Sequence, residues 1–137
     1  MIELEEITVD RFEEFGGYVS RYKYSTWGLD TVLLMLDKCF VFGYFVISEG
    51  KTKGVAFALL VNGMYSLDGY NEGVPVFDAV RAGRKVVQRL FDERTDTVYT
   101  SHLMAEKGVT ALAKRIGFRS HLVHNGVNIM RMTKHGT

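Results

Sequence analysis

The sequence contains a single cysteine, Cys39, and a single proline, Pro75, among 137 residues. One thiol excludes an internal disulfide and any multi-cysteine zinc site, and it points to a cytoplasmic protein. With one proline and no Ser- or Gly-rich tract there is no linker to read, and no repeat or low-complexity segment is visible. Long apolar runs are missing too. The longest, residues 40–47, falls far short of the ~20 residues that span a bilayer. The first residues, Met1-Ile2-Glu3-Leu4-Glu5-Glu6, are acidic where a signal peptide is basic, and no apolar stretch follows them.

What remains has the make-up of an ordinary folded domain. Apolar residues are 47% and charged residues 24%, near the globular average, which argues against disorder. The length suits one domain, residues 1–137. The net charge of +1 hides an asymmetry. Residues 1–70 carry six Lys/Arg and ten Asp/Glu, whereas residues 71–137 carry eleven and six, together with all four histidines. A basic half suits a phosphate-bearing ligand or is simply a solvated surface.

Hydrophobic periodicity gives the elements. Residues 2–9 alternate loosely, with a slip at Glu5-Glu6, and predict a strand. Asp10 offers an N-cap to a helix carrying Phe12, Phe15, Val19 and Tyr22. A second helix, capped by Ser25 or Thr26, carries Leu29, Val32, Leu33 and Leu36. The apolar runs 40–47 and 55–61 predict strands buried on both faces. Asn62-Gly63 predicts a hairpin turn into a strand at 64–70. Pro75 suits the first turn of a helix that runs to about Arg94. A strand at 97–103 and a short helix over Val109, Leu112, Ala113 and Ile116 follow, the helix stopped by Gly117. Asn125-Gly126 joins strands at 118–123 and 127–132. The order βααβββαβαββ predicts an α+β domain with a mixed sheet and helices on both faces.

The segment 109–119, Val-Thr-Ala-Leu-Ala-Lys-Arg-Ile-Gly-Phe-Arg, resembles the short helix of the GNAT superfamily of N-acyltransferases that ends in Gly-Phe and turns into a strand. Residues 82–91 resemble that family's central helix, and residues 125–132 the last strand of small GNAT-like proteins of bacteriophages. The resemblance implies a mostly antiparallel sheet of about seven strands and acetyl transfer from acetyl-CoA to an amine-bearing small molecule or protein. A second reading stays open: a catalytically degenerate GNAT-like phage protein that binds a host factor or forms part of the virion. A nucleic-acid-binding module ranks last, because no element concentrates Lys/Arg with aromatics. A membrane partner is not expected.

The family's phosphate-binding signature, Arg or Gln, two residues, Gly, one residue, then Gly or Ala, is absent from residues 69–78. Gly69, Asn71 and Gly73 are the positions there that remain for a cofactor, while Glu72 and Asp78 add negative charge and Pro75 has no N–H to donate. Ala113 matches the position of the family's proton-donating Tyr, and Glu106 that of its Asn. Acetyl-CoA is therefore expected to bind weakly, nearer the millimolar than the micromolar range.

Acyl transfer needs a base for the ammonium and a proton for the leaving thiolate. The resemblance points to Asp68 as base, on the face of its strand opposite Tyr65 and Leu67; the other reading is a turn carboxylate beside Gly69. His102 suits a proton relay or a structural role, and Tyr70 or Tyr99 a proton donor. Arg81, Arg84 and Lys85 share neighbouring faces of one helix, and Lys107, Lys114, Arg115 and Arg119 form a second basic group. Either group suits a nucleotide phosphate or a solvated surface. No metal motif is present, since strand alternation puts His121 and His124 on opposite faces. The sheet is expected to splay between the strands at 64–70 and 97–103, where the connection style changes.

Overall fold

A computed structural model describes residues 2–22 and 28–136. The elements are β1 (Ile2–Glu6), a 3₁₀ turn (Val9–Arg11), α1 (Phe12–Tyr22), α2 (Leu29–Cys39), β2 (Phe40–Ser48), β3 (Lys51–Val61), β4 (Met64–Asn71), α3 (Val76–Glu93), β5 (Thr97–Leu103), α4 (Lys107–Ile116), β6 (Arg119–His124) and β7 (Val127–Thr133). They form one seven-stranded sheet of order β1-β2-β3-β4-β5-β7-β6. Every neighbouring pair is antiparallel except β4 and β5. The expected α+β architecture is present.

Three turns draw the hairpins. Glu49-Gly50, Asn62-Gly63 and Asn125-Gly126 all have positive φ at both positions, the backbone that two-residue hairpin turns need to match the twist of their strands. The predicted first strand is shorter than its apolar run. Ile2 and Leu4 face one core and Ile7 the other, so the slip at Glu5-Glu6 is a change of face that ends the regular strand. Asp10 is not an N-cap. It lies inside the 3₁₀ turn, and its carboxylate accepts a hydrogen bond from the hydroxyl of Thr8, which holds the capping position. The predicted caps Ser25 and Thr26 lie outside the described residues.

Each face of the sheet has its own core. Under α3 and α4 lie Phe42, Tyr44, Val46, Ala58, Leu67, Val98 and Met130, packed against Val86, Val87, Leu90, Ile116 and Phe118. Under α1 and α2 lie Phe45, Phe57 and Leu59, with Phe15, Val19, Val32 and Leu36. Burying such side chains contributes roughly 1.5–3 kcal/mol each. The Tyr18 hydroxyl donates to the Thr52 carbonyl at 2.6 Å, pinning α1 to β3. Arg89 of α3 reaches across the Phe42 ring, 4.1 Å from its centroid, to Glu6 of β1. Cys39 closes α2, its thiol donating to the Met35 carbonyl at 3.1 Å, and burial raises its pKa.

β3 and β4 approach closely where Gly54 opposes Asn71. A Cβ on Gly54 would stand 2.4 Å from the Tyr70 carbonyl oxygen and 2.8 Å from Asn71 Cβ. Gly54→Ala gains roughly 0.5–1 kcal/mol of lost unfolded-state freedom, against an overpacking cost of about 1–3 kcal/mol because backbone cannot step aside. We expect a net loss of stability and a melting temperature lower by several degrees. An unchanged or higher melting temperature in a thermal scan would show that the strand ends have room.

Candidate active site

The sheet opens where its one parallel pair begins. β4 and β5 share a single register pair, Ser66 with Tyr99, and no further pair forms among the described residues. The expected splay is therefore present. The Thr100 hydroxyl bridges the gap once, donating to the Leu67 carbonyl at 3.0 Å. A cavity of about 560 Å³ fills the opening between β4, β5, α3 and α4, within the ordinary range for ligand sites. Its walls are largely apolar, among them Leu67, Val74, Leu112 and Ile116, and Gly83 lets the two helices close on it, Ile116 standing where a Cβ would be.

Asp68, Tyr70 and His102, the residues singled out as acid–base groups, all line this cavity. Asp68 is half-buried, and its Oδ1 accepts the Gly69 N–H at 2.9 Å. Alternation along β4 places it with Ser66 and Tyr70 on the α1–α2 side of the sheet, and the Tyr70 ring packs near Phe57. Tyr65 faces the other core and does not wall the cavity. His102 points to the opposite side, against α4. It is 8% exposed, and its Nε2 lies 2.6 Å from the Thr110 hydroxyl, which donates to the Glu106 carbonyl at 3.3 Å. That chain of bonds makes Nε2 the proton carrier and leaves Nδ1 as a bare acceptor. Nδ1 is buried without a partner, as is Oδ1 of Asn128, the residue opposite His102 on β7. Asn128 was invisible to sequence reasoning, because only the strand order brings it beside His102.

The cofactor candidates divide. Gly69 and Asn71 line the cavity, whereas Gly73 sits just beyond it in a turn with φ of +71°. Asn71 accepts the Val74 N–H at 3.3 Å, and the first turn of α3, behind Pro75, offers the N–H groups of Val76, Phe77 and Asp78. Arg81 and Arg84 lie outside the cavity, on a groove between α3 and β1. Arg84 donates to the Arg115 carbonyl at 2.8 Å and the Ile116 carbonyl at 3.4 Å, so it caps the C-terminus of α4, where a cation suits the helix dipole. Lys107 is exposed at the first position of α4 and does not reach the cavity walls. One expectation about faces fails. β6 carries a bulge at His121, and the extra residue breaks the alternation, so His121 meets Tyr99 on the same face to which the ladder assigns His124. Among the described residues no cluster of three or more metal-ligating side chains forms.

No protein-family model matches the chain, and no curated protein matches it. Solved structures do. The aminoglycoside acetyltransferase AAC(6′)-Ib in complex with coenzyme A superposes with a TM-score of 0.74 at 14% identity, over 99% of this chain and 96% of that one. The Campylobacter jejuni N-acetyltransferase PseH in complex with acetyl coenzyme A gives 0.66 at 12% identity, over 98% and 99%. The Escherichia coli ribosomal-protein-S18-alanine N-acetyltransferase gives 0.65 at 16%, over 97% and 94%. The fold is that of the GNAT acetyltransferases. The GNAT-like architecture expected from the Gly117-Phe118 segment and the element order is thereby established.

Burial holds the His102 imidazole below its ordinary pKa of 6.5, with the nearby Glu106 charge pulling weakly the other way. Just below pH 6.5 the unfolded chain therefore binds the proton more readily than the folded one. Stability is complete above that pH and falls as pH drops through it, levelling below the folded-state pKa. We expect wild type to lose more stability between pH 7 and pH 5 than His102→Asn, measured as urea midpoints across that range. Parallel pH profiles would place the sensitivity elsewhere.

Proposed function

We propose that the protein transfers an acetyl group from acetyl-CoA to an amine. The observation that carries this reading is the cavity at the β4–β5 opening with Asp68 on its wall, in a fold whose neighbours include structures holding coenzyme A or acetyl coenzyme A. The apolar lining at Leu67, Gly83 and Leu112 suits a thioester-bearing arm, and the first-turn N–H groups of α3 suit a phosphate. Glu72 and Asp78 beside that turn oppose the phosphate, which supports weak binding. Acetyl-CoA, when bound, supplies an activated acyl carbon that gains the amine nitrogen as its bond to sulfur breaks.

The chain's own residues manage the protons. An acceptor amine arrives as ammonium and is unreactive until it loses a proton, which Asp68 takes. Tyr70 shares that face and donates its hydroxyl proton to the departing sulfur, then recovers the first proton from Asp68; the nitrogen sheds its second proton, once bonded to the acyl carbon, to Asp68 and from there to solvent. His102, held by Thr110 through Nε2, keeps a buried Nδ1 acceptor that can take a proton or position a donor at the β5 wall of the site. Gly69 and Asn71 border the path of the cofactor, and we assign no cofactor contact to Arg81, Arg84 or Lys107. The proposal extends to a phage-encoded, cytoplasmic enzyme, on the strength of the lone thiol and the sequence resemblance. The alternative, an inert domain that binds a host or virion protein, draws support from Ala113, which leaves α4 without a hydroxyl at the cavity.

Calorimetric titration should give a dissociation constant for acetyl-CoA nearer millimolar than micromolar, and thiol release should require an amine. Asp68→Asn keeps the shape and removes the base. It should lower turnover by about 10²-fold or more at neutral pH, with the deficit shrinking at high pH where the amine is already neutral. Undiminished turnover across the pH range would remove Asp68 from the mechanism.

A further inference from the structure

The outer face of β5, β7 and β6 has no part in the chemistry above. Arg119 of β6 opposes Arg131 of β7 directly, and Arg131 opposes Tyr99 of β5. Residues so opposed share a face, with Cβ atoms about 4.5–5.5 Å apart, and like charges there are destabilising. Nothing in the described residues offsets this pair: neither guanidinium makes an ion pair or a side-chain hydrogen bond. The local sequence offers little remedy. Residues 97–137 hold six Lys/Arg and one acid, Glu106, whose carboxylate accepts the Leu103 N–H at 3.2 Å.

The row leads into the candidate active site. Tyr99 is the partner of Ser66, and Asp68 is the next residue of β4 on that face. Arg131 is in register with Ser66 through Tyr99; two strand spacings of about 4.8 Å across and two residues of about 3.3 Å along β4 put it at least about 12 Å from Asp68, and its long side chain shortens the gap. The bulge brings His121 to the same place, its ring 6.0 Å from that of Tyr99. Among the described residues the helices leave this face open: α1 and α2 lie over β3 and β4, while α3 and α4 pack on the other side.

We propose that Arg119, Arg131 and His121 form an anion-binding shelf, and that the acceptor is an amine carrying a carboxylate or phosphate a few bonds from its nitrogen. This rests on the acetyltransferase reading and leaves its chemical step unchanged. The ammonium docks at Asp68 and the anion on the guanidinium pair, whose planar forks match carboxylate and phosphate oxygens. The bound anion also relieves the repulsion between the two arginines. A polycation such as kanamycin, present in one of the AAC(6′)-Ib structures, is repelled.

Thiol release from acetyl-CoA would be compared for O-phosphoethanolamine, glutamate, ethanolamine and kanamycin, alongside calorimetric titration of the first two without acetyl-CoA. At least one anionic amine should exceed ethanolamine in kcat/KM by about tenfold or more, the gain of one or two charge-assisted hydrogen bonds, with kanamycin poorest. The better of the two names the anion as phosphate or carboxylate. Arg131→Glu should erase that preference and the calorimetric binding, whereas Lys51→Glu, the same charge change at the distant start of β3, should not. Arg131→Gln serves if the reversal fails to fold. Equal use of ethanolamine, or a preference untouched at Arg131, overturns the shelf and leaves the transferase reading intact. Anion binding lost on reversal, without thiol release from any amine, keeps the shelf and removes the transferase. Neither binding nor turnover overturns both.

Discussion

The organisation of the molecule depends on one interrupted strand pair. β4 and β5 meet at Ser66 and Tyr99 and then separate. A buried backbone group without a partner costs about 1–3 kcal/mol, so a gap inside a sheet persists only where something supplies the missing bonds. The Thr100 hydroxyl does so at Leu67; beyond it the cavity admits solvent or a ligand. The same separation places helices α3 and α4 side by side across the opening rather than over a continuous sheet. Arg84, bonded to the last carbonyls of α4, fixes the distance between them. The site is thus a defect in pairing held open by a helix pair that cannot drift.

Most of the scaffold was legible in the sequence, for local reasons. Asn-Gly pairs demand positive φ, β-branched and aromatic runs demand burial, and Gly117 ends α4 with φ of 131°, so hairpins, strands and helix ends declare themselves within a few residues. Long-range placements did not. β7 lies between β5 and β6, and nothing in its own residues says so. The pairing of His102 with Asn128 follows from that order and was hidden with it. The bulge at His121 was missed because a period of two has no room for an extra residue. Arg84 looked like a phosphate ligand because its partners, 31 and 32 residues away, are backbone carbonyls that no side-chain pattern advertises.

The charge asymmetry of the sequence resolves into two populations. Some cations are tied to structure: Arg11 to Glu5 and Glu14, Arg89 to Glu6 and Glu93. Such half-exposed pairs contribute modestly, about 0–1 kcal/mol; Arg89 ties α3 to β1 on one side of the sheet, and Arg11 ties β1 to the start of α1 on the other. Other cations are not so tied: Arg119 and Arg131 lie on strands that carry no acidic residue, and there the local potential stays positive. A chain that is nearly neutral in total therefore presents opposite signs to its surroundings at its two ends.

β6 is the outermost strand of the sheet on that side, and each of its six residues is exposed, Leu122 and Val123 among them. An open strand edge with apolar side chains is a template for stacking one molecule on another. The bulge at His121 and the charge of Arg119 interrupt that edge, twisting it and setting like charges against any copy that tries to extend the ladder. The irregularity that gathers side chains beside Tyr99 also works against that edge-to-edge stacking.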